Sequence, residues 1–158
     1  MSENNPITVF ASHVFEETLD YLRVFEFLES VDRFYYINVS KPENIPEAGG
    51  LQAIKDELIS QIKTSEVVIM LSSTYEERPE IAKFIMDVAQ ANRKGVVAIR
   101  PFGGATETPA ELVDRCEEHV EWNNRDIADA LLRQARGMDT VRWDVLDFPG
   151  FDADGPTD

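Results

Sequence analysis

The sequence has a single cysteine, Cys116, so neither an internal disulfide nor a cysteine-rich zinc site can form. Histidine is almost as scarce. His13 and His119 stand apart, with no acidic or thiol cluster at metal-ligand spacing, and no metal site is expected. No stretch approaches the ~18 apolar residues of a membrane-spanning helix. The start, Met1-Ser2-Glu3-Asn4-Asn5-Pro6, lacks the basic region and apolar run of a signal peptide. These absences predict a cytoplasmic protein with no membrane partner. Cations are in deficit as well: five Lys and ten Arg face 30 Asp plus Glu, a formal net charge of −15. Such a surface repels nucleic-acid phosphates and anionic lipid, which argues against DNA or RNA as partner. An acid-rich, lysine-poor composition suits a halophilic source, where salt screens self-repulsion; the alternative is simply an acidic protein.

What is present is an alternation of short apolar runs with stretches of helical period. Ile7-Thr8-Val9-Phe10-Ala11 reads as a first strand and Phe34–Val39 as a second. Val67-Val68-Ile69-Met70-Leu71 and Val96-Val97-Ala98-Ile99 are apolar at every position, as strands covered on both faces should be. His119–Trp122 suits a short edge strand. Between them, Leu19, Leu22, Phe25 and Leu28 suggest the inner stripe of a helix over 16–29. Leu51, Ile54, Leu58 and Ile62 mark a second helix, and Ile81, Phe84, Ile85, Val88 and Ala89 a third. Thr108-Pro109-Ala110-Glu111 has the pattern of a capping box opening a helix to about Cys116. Asn123 or Asn124 should cap a last helix through Ile127, Leu131 and Ala135.

A chain of 158 residues fits one domain. Strands alternating with helices predict βαβ units, hence a flavodoxin-like, doubly wound domain with a five-stranded parallel sheet and helices on both faces. It should span residues 1–137. Residues 138–158 read as an acidic, partly disordered extension, although Val141, Trp143, Val145, Leu146 and Phe148 would allow part of it to dock. No internal repeat is present.

Ligands of open parallel sheets bind outside the carboxyl ends of the strands. The loops of interest are therefore Ser12-His13-Val14-Phe15, Ser72 to Pro79, and Arg100-Pro101-Phe102-Gly103-Gly104. They lack the acidic residues of a phosphate-accepting receiver, the Gly-rich turn of a Rossmann domain, a P-loop and a nucleophile elbow. Each polar residue also has a plainer reading. Ser12 would serve as a helix cap, Ser72 and Ser73 as strand ends, and Glu76, Glu77 and Arg78 as a solvated face. Cys116 would be a small buried residue, and Trp122 packing.

Taken in order, Val9-Phe10-Ala11-Ser12-His13, the helix and strand from Leu51 to Leu71, Asp87-Val88-Ala89-Gln90, Val97 to Gly103, and Glu121-Trp122-Asn123 carry a resemblance. Over roughly residues 7–136 the chain resembles TIR-like domains related to the TIR protein of the Thoeris anti-phage system. The resemblance implies a signalling role in antiviral defence and NAD as substrate or ligand, cleaved at the nicotinamide–ribose bond, with no resident cofactor. It implies that Ser12, His13, Ser72, Ser73 and Tyr75 hold the nucleotide. The family's carboxylate lies in a pattern like Trp-x-x-x-Glu-Ile-x-x-Ala, whose Glu place is taken here by Ile85 and whose Trp place by Ile81. Glu80 and Asp87 are the nearest substitutes, though they point to other sides of the helix. Three functions stay open: an NAD hydrolase or cyclase, a nucleotide-binding module without catalysis, and a self-associating domain or subunit for a partner effector. Val24 and Phe27, off the 19-22-25-28 stripe, would provide an associating surface or pack beneath the loop after the second strand.

Overall fold

The hydrophobic run Val67–Leu71 forms β3, the middle strand of the sheet, and each of its residues is buried. Our computed structural model describes residues 1–104 and 106–137. The expectations for 138–158 lie outside the described residues. Around β3 stand β1 (Ile7–Ala11) and β4 (Gly95–Ile99), with β2 (Tyr36–Asn38) and β5 (Glu118–Val120) at the edges. The order is β2-β1-β3-β4-β5 and every pairing is parallel, which is the flavodoxin-like α/β arrangement.

Strand pleating divides the core in two. Ile7, Val9 and Ala11, with Val67, Ile69, Leu71, Val97 and Ile99, face α1 (Leu19–Glu29) and α6 (Asn124–Arg136). Phe10, Val68, Met70, Val96 and Ala98 face the other way. They meet α2 (Gly50–Lys63), α4 (Pro79–Ala91) and Leu112 of α5 (Ala110–Arg115). Each fully buried Ile, Leu, Val or Phe contributes roughly 1.5–3 kcal/mol. The central strands are therefore held from both sides, which explains why they are apolar throughout. Among the described residues no helix is long and apolar enough to cross a membrane.

Four local readings are corrected. In α1 the buried residues are Tyr21, Val24 and Leu28, whereas Leu19 is 75% exposed and Leu22 44%. A stripe advancing by threes drifts about 60° per step, so Leu19 and Leu28 lie on opposite sides of the helix. Val24 is thus core, and Phe27 packs on Trp122 at a ring separation of 5.2 Å, leaving neither as an associating surface. The capping box does not form. Pro109 takes the cap position with no side-chain bond, because Glu111 instead accepts from Tyr75 and pairs with Lys83 and Arg115. Finally, the stretch after β3 is not a loop at its start. Leu71 leads directly into a short helix, α3 (Ser72–Glu77).

One glycine fixes a close approach. A Cβ on Gly95 would lie 2.6 Å from the Gln134 side-chain oxygen and 2.9 Å from its Cβ, so β4 and α6 meet there without room for a methyl group.

Candidate functional site

In the order β2-β1-β3-β4-β5 the chain departs leftward after β1 and rightward after β3, so a crevice opens between the carboxyl ends of these two strands. Ser12, His13, Ser72, Ser73 and Thr74 all arrive here, because each immediately follows β1 or β3. Ser12 is almost wholly buried. Its hydroxyl accepts from the Leu71 amide at 2.9 Å and donates to the Thr74 hydroxyl at 2.9 Å, clamping the end of β1 to the entrance of α3. It does not cap α1; Thr18 does, accepting from the Tyr21 amide. Ser72 donates to the Ile99 carbonyl at 2.6 Å and ties α3 to β4.

His13 is 3% exposed, and its hydrogen bonds assign its tautomer. Gln61 meets the backbone of Lys41 twice, donating to its carbonyl and accepting from its amide, which orients the Gln61 amide group. Its oxygen therefore also accepts from His13 Nε2–H at 2.9 Å, while His13 Nδ1 accepts the Phe15 amide at 3.1 Å. The ring is neutral in this network, and burial holds its pKa below the usual histidine value, against the opposing pull of Gln61, Glu43 and Glu57. Phe15 is held at φ 63°, an uncommon conformation for a bulky side chain, and its ring stands edge-on to His13. His13 thus secures a strained turn at the mouth of the crevice and joins it to α2.

The crevice contains a pocket of about 240 Å³ whose walls are His13, Val14, Thr18, Leu19, Asp20, Ser73, Thr74 and Glu77. This is below the roughly 300–1,000 Å³ of pockets that enclose drug-sized ligands, so it would take one end of a dinucleotide and not the whole. Asp20 is paired with Arg23, whose guanidinium lies 3.7 Å from the ring centre of Phe102. Glu77 has no hydrogen-bond or ion-pair partner among the described residues.

The other residues marked from the sequence lie elsewhere. Tyr75 leans to the opposite face, where its hydroxyl donates to Glu111 at 2.7 Å; that bond raises the tyrosine pKa and lowers that of the glutamate. Ile85 is fully buried in the core of α4. Glu80 is exposed and bonded to Arg78, which lowers its pKa, and Asp87 is exposed and bonded to Arg115. Neither carboxylate lines the pocket. Thr18, Asp20 and Thr74 were not singled out from the sequence, and Glu77, read there as part of a solvated face, is a wall of the pocket. The available signal was helical spacing: Ser73 and Glu77, four residues apart, share one face of α3.

A wider cleft of about 710 Å³ runs along edge strand β5 past Arg100, His119, Asp126 and Arg133. It is open, and its cations are engaged with Glu121 and Glu118. It also lies away from the crossing of the chain between β1 and β3, and the smaller pocket is the better candidate. Among the described residues no group of histidine, cysteine or acidic side chains could hold a metal ion. No family model matches the sequence, and no match emerges among the curated proteins compared with it.

Proposed function

We propose that this chain is a TIR-like signalling domain of antiviral-defence type that binds NAD or a related nucleotide by one end without cleaving it. The observation that carries the reading is the pocket at the carboxyl ends of β1 and β3, with hydroxyl and carboxylate side chains in its walls, in the crevice where this sheet order places ligands. Hydroxyls from Ser73 and Thr74 and the Glu77 carboxylate offer donors and acceptors to a sugar or an amide. Ser12, His13 and Ser72 support the walls, since their polar atoms are already engaged with protein.

Cleavage of the nicotinamide–ribose bond builds positive charge on the ribose and calls for a carboxylate beside it. Ile85 supplies none, and Glu80 and Asp87 are turned to solvent and to arginines. Glu77 does line the pocket, but from α3 and not from the family's place on α4, and on that ground we assign binding and not turnover. The test is a long incubation of the purified chain with NAD, following nicotinamide release alongside the melting temperature. The expected result is a rise in melting temperature with no release. Release that disappears in Glu77→Gln would replace this reading with an NAD hydrolase or cyclase using that carboxylate.

A second reading, a self-associating module, is favoured by a different observation. Leu19, Leu22 and Phe102 are large apolar side chains left between 44% and 75% exposed near the same end of the sheet. Sedimentation across a hundredfold range of protein concentration would separate a monomer from an assembling domain.

A further inference from the structure

Among the described residues the sheet has two free edges, and the connections between its strands distinguish them. With the order written β2-β1-β3-β4-β5, the one step to the left, β1 to β2, passes through α1. The three steps to the right, β2 to β3, β3 to β4 and β4 to β5, pass through α2, α4 and α5 on the opposite face. All four crossovers therefore share one hand, as twisted parallel strands require. α6 follows β5 but packs on the α1 face. A further parallel strand joined through α6 keeps that hand only to the left of β5, and the first place there not taken by a strand is outside β2.

That edge is open to receive one. The Ile7 amide donates to the Tyr35 carbonyl at 3.1 Å and the Val39 amide donates to the Val9 carbonyl at 2.9 Å, so alternate residues of this segment serve β1. The residues between them, Tyr36 and Asn38, turn their backbone groups outward and pair with no other strand among the described residues. Neither lysine nor proline guards Tyr36-Ile37-Asn38, and Ile37 is 50% exposed. The chain beyond Gly137 provides an occupant. Val141-Arg142-Trp143-Asp144-Val145 alternates apolar with charged side chains and is rich in β-branched and aromatic residues, the pattern of a half-buried strand. The point of departure also fits. Arg136 ties the end of α6 to the carbonyls of Asn5 and Pro6, at the end of β1 where Ile7 pairs with Tyr36. The outer side of β2 is two strand spacings from β1, about 10 Å. Gly137 to Thr140 span up to about 13 Å when extended.

We infer that residues 141–145 dock on the outer edge of β2 as a further strand of the sheet, parallel to β2, their backbone groups meeting those of Tyr36 and Asn38. Docked there, the segment covers the one apolar edge position at Ile37 and denies that edge to a second copy of the chain. The inference stands apart from the nucleotide-binding reading.

Amide hydrogen exchange of the full chain, followed residue by residue with nuclear magnetic resonance, tests the docking. The Tyr36 and Asn38 amides should exchange about tenfold or more slowly in the parent than in Trp143→Pro, whose ring breaks strand pairing. Trp143→Asp, which keeps the backbone donor and removes the apolar contact, should release the same two amides. Unchanged protection along β3 would verify that both variants are folded. Equal exchange of Tyr36 and Asn38 in the parent and both variants would overturn the inference. So would protection that the variants relieve at His119 of β5, which would put the segment on the opposite edge. Protection of β2 that fades on hundredfold dilution would overturn it too, by making a second copy the occupant.

Discussion

Restoring a glutamate at position 85 is the sharpest perturbation of the fold. Ile85 is 0% exposed, in a cluster whose buried members are aliphatic, aromatic or sulfur-bearing. Ile85→Glu forfeits roughly 1.5–3 kcal/mol of apolar burial. Even protonated, the new carboxyl would lie buried without a partner, at a further ~1–3 kcal/mol. The total is roughly 2.5–6 kcal/mol near pH 4, against a typical domain stability of about 5–15 kcal/mol. Burial raises the folded-state pKa of this carboxyl above its unfolded value of about 4.3, so the unfolded chain releases the proton first. Stability should therefore fall further as pH rises above ~4.3, by up to ~1.4 kcal/mol per unit, until the folded-state pKa is reached. Ile85→Ala, with no charge to bury, should cost about 2–5 kcal/mol at every pH. Urea melts of the parent and both variants at pH 5 and pH 7.5, followed by far-ultraviolet circular dichroism, give the comparison. An Ile85→Glu chain within ~1 kcal/mol of the parent at both pH values would refute the core placement. If it also released nicotinamide from NAD, position 85 would face the ligand.

Three further outcomes follow from hydrogen bonding and burial. With its pKa held below 6.5 by burial, His13 contributes its full stability above about pH 6.5 and loses it as pH falls toward the folded-state value. His13→Asn keeps an acceptor for the Phe15 amide and removes the titration, so its melting temperature should fall less between pH 7 and pH 5 than that of the parent; parallel curves would refute the assignment. Ser12→Ala strands the Leu71 amide in the interior and should cost about 1–3 kcal/mol in urea unfolding, and a loss under ~0.5 kcal/mol would show the clamp to be dispensable. Burial pushes the Cys116 thiol up to about 12, so it should stay silent toward a thiol reagent at pH 8 and react in step with unfolding in urea. Rapid reaction of the native protein would place Cys116 outside the core.

The sheet was legible because its middle strands pair apolar residues at every position with turn chemistry on either side, and few other structures produce that pattern. Helix phase was harder. In α1, hydrophobic residues cover most of the circumference, and the buried face was decided by Tyr21, whose hydroxyl reaches Ser40 and Asn38 on the β2 side. The capping box failed for a similar reason, since Tyr75, Lys83 and Arg115 compete for Glu111 from other elements. Ser12, His13 and Ser72 were legible as residues of the crevice by position. Their engagement was not, because Gln61, Leu71, Thr74 and the Ile99 carbonyl are 27 to 62 residues distant in sequence. Reading 72–79 as loop also hid Glu77, whose alignment with Ser73 exists only if that stretch is helical.

The ties of Arg136 have a practical consequence. Its guanidinium meets Glu66 at 2.6 Å and the backbone carbonyls of Asn5 and Pro6 at 3.2 and 3.1 Å, fastening the end of α6 to the residues just before β1. Pro6 and Arg136 thus share one corner, and β1, about 16 Å long, separates that corner from the pocket. A fluorophore attached at that corner would stand a strand's length from the crevice. A short linker across the same corner would give a circular permutant with its new termini elsewhere and its strand order unchanged. Pulled apart at Pro6 and Arg136, the chain would load the Arg136 clip first, before any strand pairing is strained.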